Sequence, residues 1–213
     1  MELHTLYRLL FRHYGPQHWW PAESPYEMMV GAILTQNTAW ANVKKAIANF
    51  GEKLTPAFVT EISDGELEEI IRPSGFFRQK AARLKTLTGW YARYRYDIET
   101  ARAQGTDTLR MELLALKGVG RETADSILLY ALQKPVFVID AYTRRVFARL
   151  GFAVPSEYEV FRRFFEENLP RDPALYNEYH ALIVRHAATV CRKRPDCADC
   201  PFAPSCPGAR NDD

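Results

Sequence analysis

Leu116-Lys117-Gly118-Val119-Gly120-Arg121-Glu122-Thr123-Ala124 is the stretch on which the reading of the fold turns. Upstream, Leu109, Leu113, Leu114 and Leu116 recur at helical spacing; downstream, Ala124, Ile127, Leu128 and Ala131 do the same. Two helices therefore flank a tight glycine turn. Glycines one residue apart permit a turn that points backbone N–H groups outward, and the helix opening at Arg121 adds its positive N-terminal end. A hairpin of this kind suits one phosphate of a nucleic-acid backbone, although the same G-x-G between helices also serves as an ordinary turn. No strand precedes it and no Gly-Lys-Ser/Thr follows, which excludes a Rossmann or P-loop element.

Working outward, the helical period persists. Leu3, Leu6, Leu9, Leu10 and Tyr14 share a face that Gly15-Pro16 ends; Met28 to Leu34 is continuously apolar and reads as a buried helix; Val43, Ile47 and Phe50 mark a third. Ser63-x-x-Glu66 and Ser156-x-x-Glu159 each have the spacing of a capping box. Pro135-Val-Phe-Val-Ile139 alone resembles a strand, and a single strand has nothing to pair with, so it reads as a buried extended connection. Ala101 to Asp107 reads as a loop. The expected fold class is all-α, with roughly ten helices at the usual mean length.

The bulk composition narrows the function less. With 28 Lys+Arg against 26 Asp+Glu, the net charge of +2 neither requires nor forbids a nucleic-acid partner, because the charges can segregate onto different faces. No apolar run approaches the ~18 residues of a membrane span, and the N-terminal stretch carries charges where a signal peptide needs its apolar core, so a cytoplasmic protein is expected. All four cysteines, Cys191, Cys197, Cys200 and Cys206, fall in one C-x5-C-x2-C-x5-C stretch. In a reducing compartment such a group points to metal or cluster ligation rather than to two disulfides.

The hairpin motif, the Val138-Ile139-Asp140 that follows it and the terminal four-cysteine loop together resemble the helix-hairpin-helix DNA glycosylases of the endonuclease III superfamily. Within it, Trp19-Trp20-Pro21, Val30 to Thr38, Arg72-Pro-Ser-Gly-Phe76 and Gln79-Lys80 are similar to the bacterial 3-methyladenine DNA glycosylase III group. The resemblance implies two lobes flanking a DNA cleft: a six-helix lobe over about 22–132 with the hairpin, and a cluster lobe combining 1–21 with 133–213. It implies a base-excision repair enzyme in which Asp140 is the catalytic carboxylate; position alone favours a helix N-cap for Asp140, and the motif context reverses that. Bifunctional members carry a nucleophilic lysine where this chain has Glu122, and a carboxylate cannot form a Schiff base, so a monofunctional glycosylase without lyase activity is implied. Glu122 borders the base pocket or simply suits the first turn of a helix.

By the same resemblance Gln36, with Asn37 as helper, enters the gap left by a flipped nucleotide, and Lys117, Gly118, Gly120 and Arg121 meet the DNA backbone. Trp19, Trp20 and Tyr142 are the implied pocket aromatics, with Phe76 and Phe77 as further candidates. Such a pocket suits an N-alkylated purine, whose positive charge an electron-rich ring attracts by about 1–2 kcal/mol. Uracil or an oxidised pyrimidine is the alternative substrate, and a non-catalytic DNA-binding module the alternative class. The four cysteines match the family's [4Fe–4S] ligands with a first gap one residue shorter, and four thiolates also bind zinc. Arg192, Lys193 and Arg194 on that loop are expected to meet phosphates or to be merely solvated. The implied partner is damaged double-stranded DNA, met by a monomer associated with a bacterial nucleoid.

Overall fold

Apolar side chains three and four residues apart set the helices. In the computed structural model, which describes residues 2–19 and 22–210, they run in order as α1 (Leu3–Tyr14), α2 (Pro25–Leu34), α3 (Trp40–Ala48), α4 (Pro56–Glu61), α5 (Asp64–Ile71), α6 (Phe77–Ala92), α7 (Ile98–Arg102), α8 (Thr106–Leu114), α9 (Arg121–Ser126), α10 (Ala141–Arg149), α11 (Tyr158–Asn168) and α12 (Pro173–Thr189). No strand occurs among the described residues, and the fold is all-α. None of these helices is long and apolar enough to cross a membrane.

The chain divides into two compact units, Pro21–Lys134 and Met1–Trp20 with Pro135–Asp213. In the first, α2 is the central element. Ser24 caps it by accepting the Glu27 N–H at 3.1 Å, Pro25 opens it, and every residue from Met28 to Leu34 is buried. Burial all round explains its continuous apolarity, since α3, α6 and α9 pack against it and each fully buried Val, Leu, Ile or Met contributes about 1.5–3 kcal/mol. Ser63 and Glu66 form the expected capping box on α5. After α9 the helix widens into a π turn, Ile127–Ala131, which the apolar spacing gives no sign of.

Two expectations give way here. The Ala101–Asp107 stretch is helical at both ends, and only residues 103–105 lie outside α7 and α8. Tertiary hydrogen bonds override its loop-like composition: Asp97 caps α7 through the Thr100 N–H, and the Lys134 ammonium closes its end on the carbonyls of Arg102 and Gln104 at 2.6 and 2.7 Å. Nor do the hairpin glycines share one role. Gly118 sits at φ +86°, where a Cβ would lie 2.3 Å from Arg83 Nε, whereas Gly120 is extended and faces open space.

In the second unit α1 and α10 both pack on α12. Its core is aromatic: Phe137 stacks on Phe165 at 4.0 Å, with Phe147 and Tyr179 presenting edges to Phe165. The segment Pro135–Ile139 is an extended connection, and its backbone is satisfied by side chains in place of a neighbouring strand. The Phe137 N–H donates to Glu166 at 2.9 Å and the Ile139 N–H to the Tyr158 hydroxyl at 3.3 Å. The capping box expected at Ser156 does not form: α11 starts at Tyr158 with Glu157 in the capping position, and Glu159 pairs with Arg162 instead.

Candidate functional site

Within the unit Pro21–Lys134, the hairpin is tied to the α2–α3 loop through one side chain. The Gln36 amide donates to the Gly118 carbonyl at 3.0 Å and to Thr123 Oγ1 at 2.9 Å, and its Oε1 accepts from Arg83 at 2.6 Å. Gln79, one turn earlier on α6, accepts from the same guanidinium at 3.3 Å. The left-handed turn at Gly118 thus exists to admit Arg83, and Arg83 in turn orients Gln36. Lys117, Gly118, Gly120, Arg121 and Glu122 are all exposed around this hairpin, and Glu122 lies in the first turn of α9. Asn37 is exposed and left-handed, at φ +51°.

Beneath the same loop lies a lysine whose role the sequence did not declare. Lys80 is 1% exposed, and its ammonium donates to the Leu34 carbonyl, Thr38 Oγ1 and the Ser74 carbonyl at 2.8, 2.7 and 2.7 Å. Thr38 also donates to the Ser74 carbonyl. One buried cation therefore pins the end of α2, the Gln36–Asn37 loop and the Arg72–Ser74 turn together. Just beyond that turn, Phe76 stands 63% exposed at φ +46°, a backbone conformation that costs a bulky residue about 1–3 kcal/mol. Phe77 lies under the Arg72 guanidinium instead, 4.3 Å from ring centroid to Cζ.

In the unit that combines Met1–Trp20 with Pro135–Asp213, Asp140 is the N-cap of α10. Its Oδ1 accepts from the Thr143 N–H at 2.7 Å and the Thr143 hydroxyl at 2.8 Å. Its Oδ2 faces His180 Nε2, on α12, at 3.6 Å. Burial pushes this carboxyl up, but the neighbouring His180 ring and the two Thr143 donors outweigh it, and the group is held below the usual carboxylate range. The capping role and an ionised, largely buried carboxylate thus coexist in one residue. Tyr142, 39% exposed, has the Arg145 guanidinium over its ring at 5.1 Å. Trp19 is half-buried in this unit, and Trp20 lies outside the described residues.

The cysteine loop is held by the far end of the same helix. Arg145 donates to the carbonyls of Ala187 and Cys191, both at 2.9 Å, and Arg149 donates to those of Arg192 and Lys193 at 2.5 and 2.9 Å. With the carbonyls turned inward, the side chains of Arg192, Lys193 and Arg194 are exposed. Cys191, Cys197, Cys200 and Cys206 line one cavity of about 20 Å³ together with Arg149, His186 and Phe202. Among the described residues they do not converge into a group that holds an ion. The donor set nevertheless suits a thiophilic centre. Burial, followed by the neighbouring Cys197, Cys206 and Cys191, pushes the Cys200 thiol up, so gathering four thiolates here requires a cation among them.

The family of HhH-GPD superfamily base excision DNA repair proteins matches residues 30–171, which take in Gln36, the hairpin and Asp140. The chain belongs to that family. This HhH-GPD protein is 46% identical to a provisionally named DNA repair glycosylase of Methanocaldococcus jannaschii, over 96% of this chain and 95% of the relative. It is similar to the crystal structure of the H. pylori 3-methyladenine DNA glycosylase bound to 1,N6-ethenoadenine, with 29% identity, a TM-score of 0.77, and 88% of this chain and 98% of that one covered. A trapped endonuclease III–DNA covalent intermediate shares its fold, with 23% identity and a TM-score of 0.82 over 98% of this chain and 95% of that one.

Proposed function

We propose that this base excision repair glycosylase removes an N-alkylated purine of the 3-methyladenine kind from damaged double-stranded DNA and leaves an abasic site without cutting the strand. The observation that carries this reading is the largely buried Asp140 carboxyl, whose Oδ1 takes both Thr143 donors while Oδ2 faces His180. Breaking the base–sugar bond develops positive charge on the deoxyribose, as glycoside hydrolysis does, and a fixed anion away from bulk water stabilises it. The same carboxylate orients or deprotonates the attacking water. An alkylated purine is already cationic and leaves with little acid assistance, and Trp19, Trp20 and Tyr142 supply the ring surfaces that attract it.

The target nucleotide must leave the stack before its bond is reached. Gln36 is suited to the gap, and to enter it the side chain gives up its hydrogen bonds to Gly118, Thr123 and Arg83; Asn37 is exposed beside it. Lys117, Gly118, Gly120 and Arg121 at the exposed hairpin hold the backbone, with Arg192, Lys193 and Arg194 adding phosphate contacts that carry no sequence information. Glu122 stands at the position where a lyase would need its amine and supplies none.

A panel of duplexes, each bearing one lesion, assayed for released base and separately for strand cleavage, tests this reading. Release of a 3-methylated purine with intact strands and no covalent complex on borohydride treatment is expected. A trapped complex overturns the monofunctional assignment, preferential uracil or oxidised-pyrimidine release overturns the substrate, and no release from any duplex favours a DNA-binding module.

Cys191, Cys197, Cys200 and Cys206 would hold a [4Fe–4S] cluster, whose contribution is architectural: it fixes the loop that carries Arg192 to Arg194. Protein purified without oxygen is expected to be brown, with about four iron atoms per chain as that cluster requires. A colourless preparation with one zinc ion decides for the alternative.

A further inference from the structure

We infer that His180 is a positioning residue for the Asp140 carboxylate, fixing Oδ2 from α12 while Thr143 fixes Oδ1 from α10. The inference rests on the reading of Asp140 given above and deepens it.

The two oxygens of Asp140 are held differently. Oδ1 takes both Thr143 donors, an arrangement any N-cap aspartate attains on its own helix. Those bonds anchor one oxygen and leave the carboxylate plane to swing about it. The second point of attachment comes from a different helix, across 3.6 Å to His180 Nε2. At that distance the ring nitrogen is a polar neighbour, longer than a good hydrogen bond, that faces Oδ2 from one fixed direction.

The imidazole itself has little freedom. His180 is 6% exposed and presents its ring perpendicular to Phe137, with centroids 6.4 Å apart. Phe137 is in turn stacked on Phe165, and the adjoining Tyr179 is tethered by its hydroxyl to the Leu3 carbonyl at 2.9 Å. The surrounding face of α12, with Tyr176, Tyr179, Leu182 and Ile183 buried, is otherwise a packing surface. A phenylalanine would fill the same space there without desolvating a ring nitrogen, and it would leave Oδ2 with no partner on α12. The extended segment leading into Asp140 is itself held by Glu166 and Tyr158, so His180 acts on a carboxylate whose backbone is already fixed.

The test uses the full-length protein and three variants, His180→Phe, His180→Gln and Asp140→Asn. The readouts are the single-turnover excision rate, the dissociation constant for the lesion duplex, the melting temperature and the ¹⁵N resonances of the His180 ring. In the free protein, Asp140→Asn is expected to shift those ring resonances. His180→Phe is expected to slow single-turnover excision about tenfold or more, the scale on which outer-sphere partners act, with DNA affinity changed less than about twofold. His180→Gln, whose amide reaches toward the same oxygen, recovers most of the rate.

Ring resonances unmoved by Asp140→Asn overturn the inference whatever the activity, and so does a His180→Phe protein at the wild-type rate or one whose rate falls only in step with DNA binding. If His180→Phe fails to fold, a wild-type rate in a His180→Asn protein overturns it equally. Failure of the underlying reading looks different: there Asp140→Asn itself still excises, or the wild-type protein excises nothing.

Discussion

Asp140→Asn is expected to fold normally and lose base excision by roughly a hundredfold to a thousandfold, the range over which removal of a single preorganised electrostatic partner is felt in other enzymes. The separation of fold from function follows from the geometry. Asparagine caps a helix about as well as aspartate, so its carbonyl oxygen can still accept the Thr143 N–H and hydroxyl that now bind Oδ1. What disappears is the charge. The melting temperature should therefore stay within about 5 °C of wild type.

The held-down carboxyl also fixes the sign of the pH dependence. A depressed aspartate contributes stability that is present above its unfolded value of about 3.9 and is lost as pH falls through its lower folded value. Wild-type excision should accordingly show no loss attributable to Asp140 until the pH is below the ordinary carboxylate range. Excision retained by Asp140→Asn in single-turnover measurements removes this residue from the mechanism.

Lys80→Met is expected to produce the largest loss of stability, about 3 kcal/mol, because it leaves the Leu34 and Ser74 carbonyls and Thr38 Oγ1 without their common donor in a buried setting. For a chain of this length that corresponds to a fall of about 6–12 °C in melting temperature. DNA affinity should fall with it, since the Gln36–Asn37 loop and the turn before Phe76 lose their shared anchor.

The same residue gives a pH signature. Burial, and then the neighbouring Arg83, bring the Lys80 ammonium down to about 8, whereas in the unfolded chain a lysine titrates near about 10.4. Between those values the unfolded chain holds more protons than the folded one, so this group makes stability rise with pH across the window. Lys80→Met should lack that rise. An unfolding free energy from urea titration within about 0.5 kcal/mol of wild type at neutral pH would show that Lys80 is not this clamp.

Much of the fold was legible in the residues because it depends on local rules. The apolar spacing gave α1 its limits, with Gly15 stopping it at φ +70°, and the Ser63–Glu66 box marked the start of α5. The continuous apolarity of Met28 to Leu34 announced a helix buried on all sides, and the lone apolar run Pro135–Ile139 read correctly as a connection because a strand without a partner cannot satisfy its backbone. The same local rules misled where a neighbour outbid them. Lys134 sealed the end of α7 inside a stretch of loop-like composition, and the Ser156 box lost its place when α11 began one residue later, with Glu157 as its cap.

What the sequence by itself determined is an all-α chain with a glycine hairpin between α8 and α9, a carboxylate after a short apolar run and a terminal group of four thiols. Each of these is written in contiguous residues. The tertiary structure alone decided which distant groups serve them. Lys80 reaches back 46 residues to the Leu34 carbonyl, Arg83 passes over Gly118 to hold Gln36, and Arg145 and Arg149 turn the carbonyls of the cysteine loop inward. His180 meets Asp140 from another helix. A lysine, an arginine or a histidine carries no local signal of the acceptor it will find, because that acceptor is supplied by packing between helices and not by spacing along the chain.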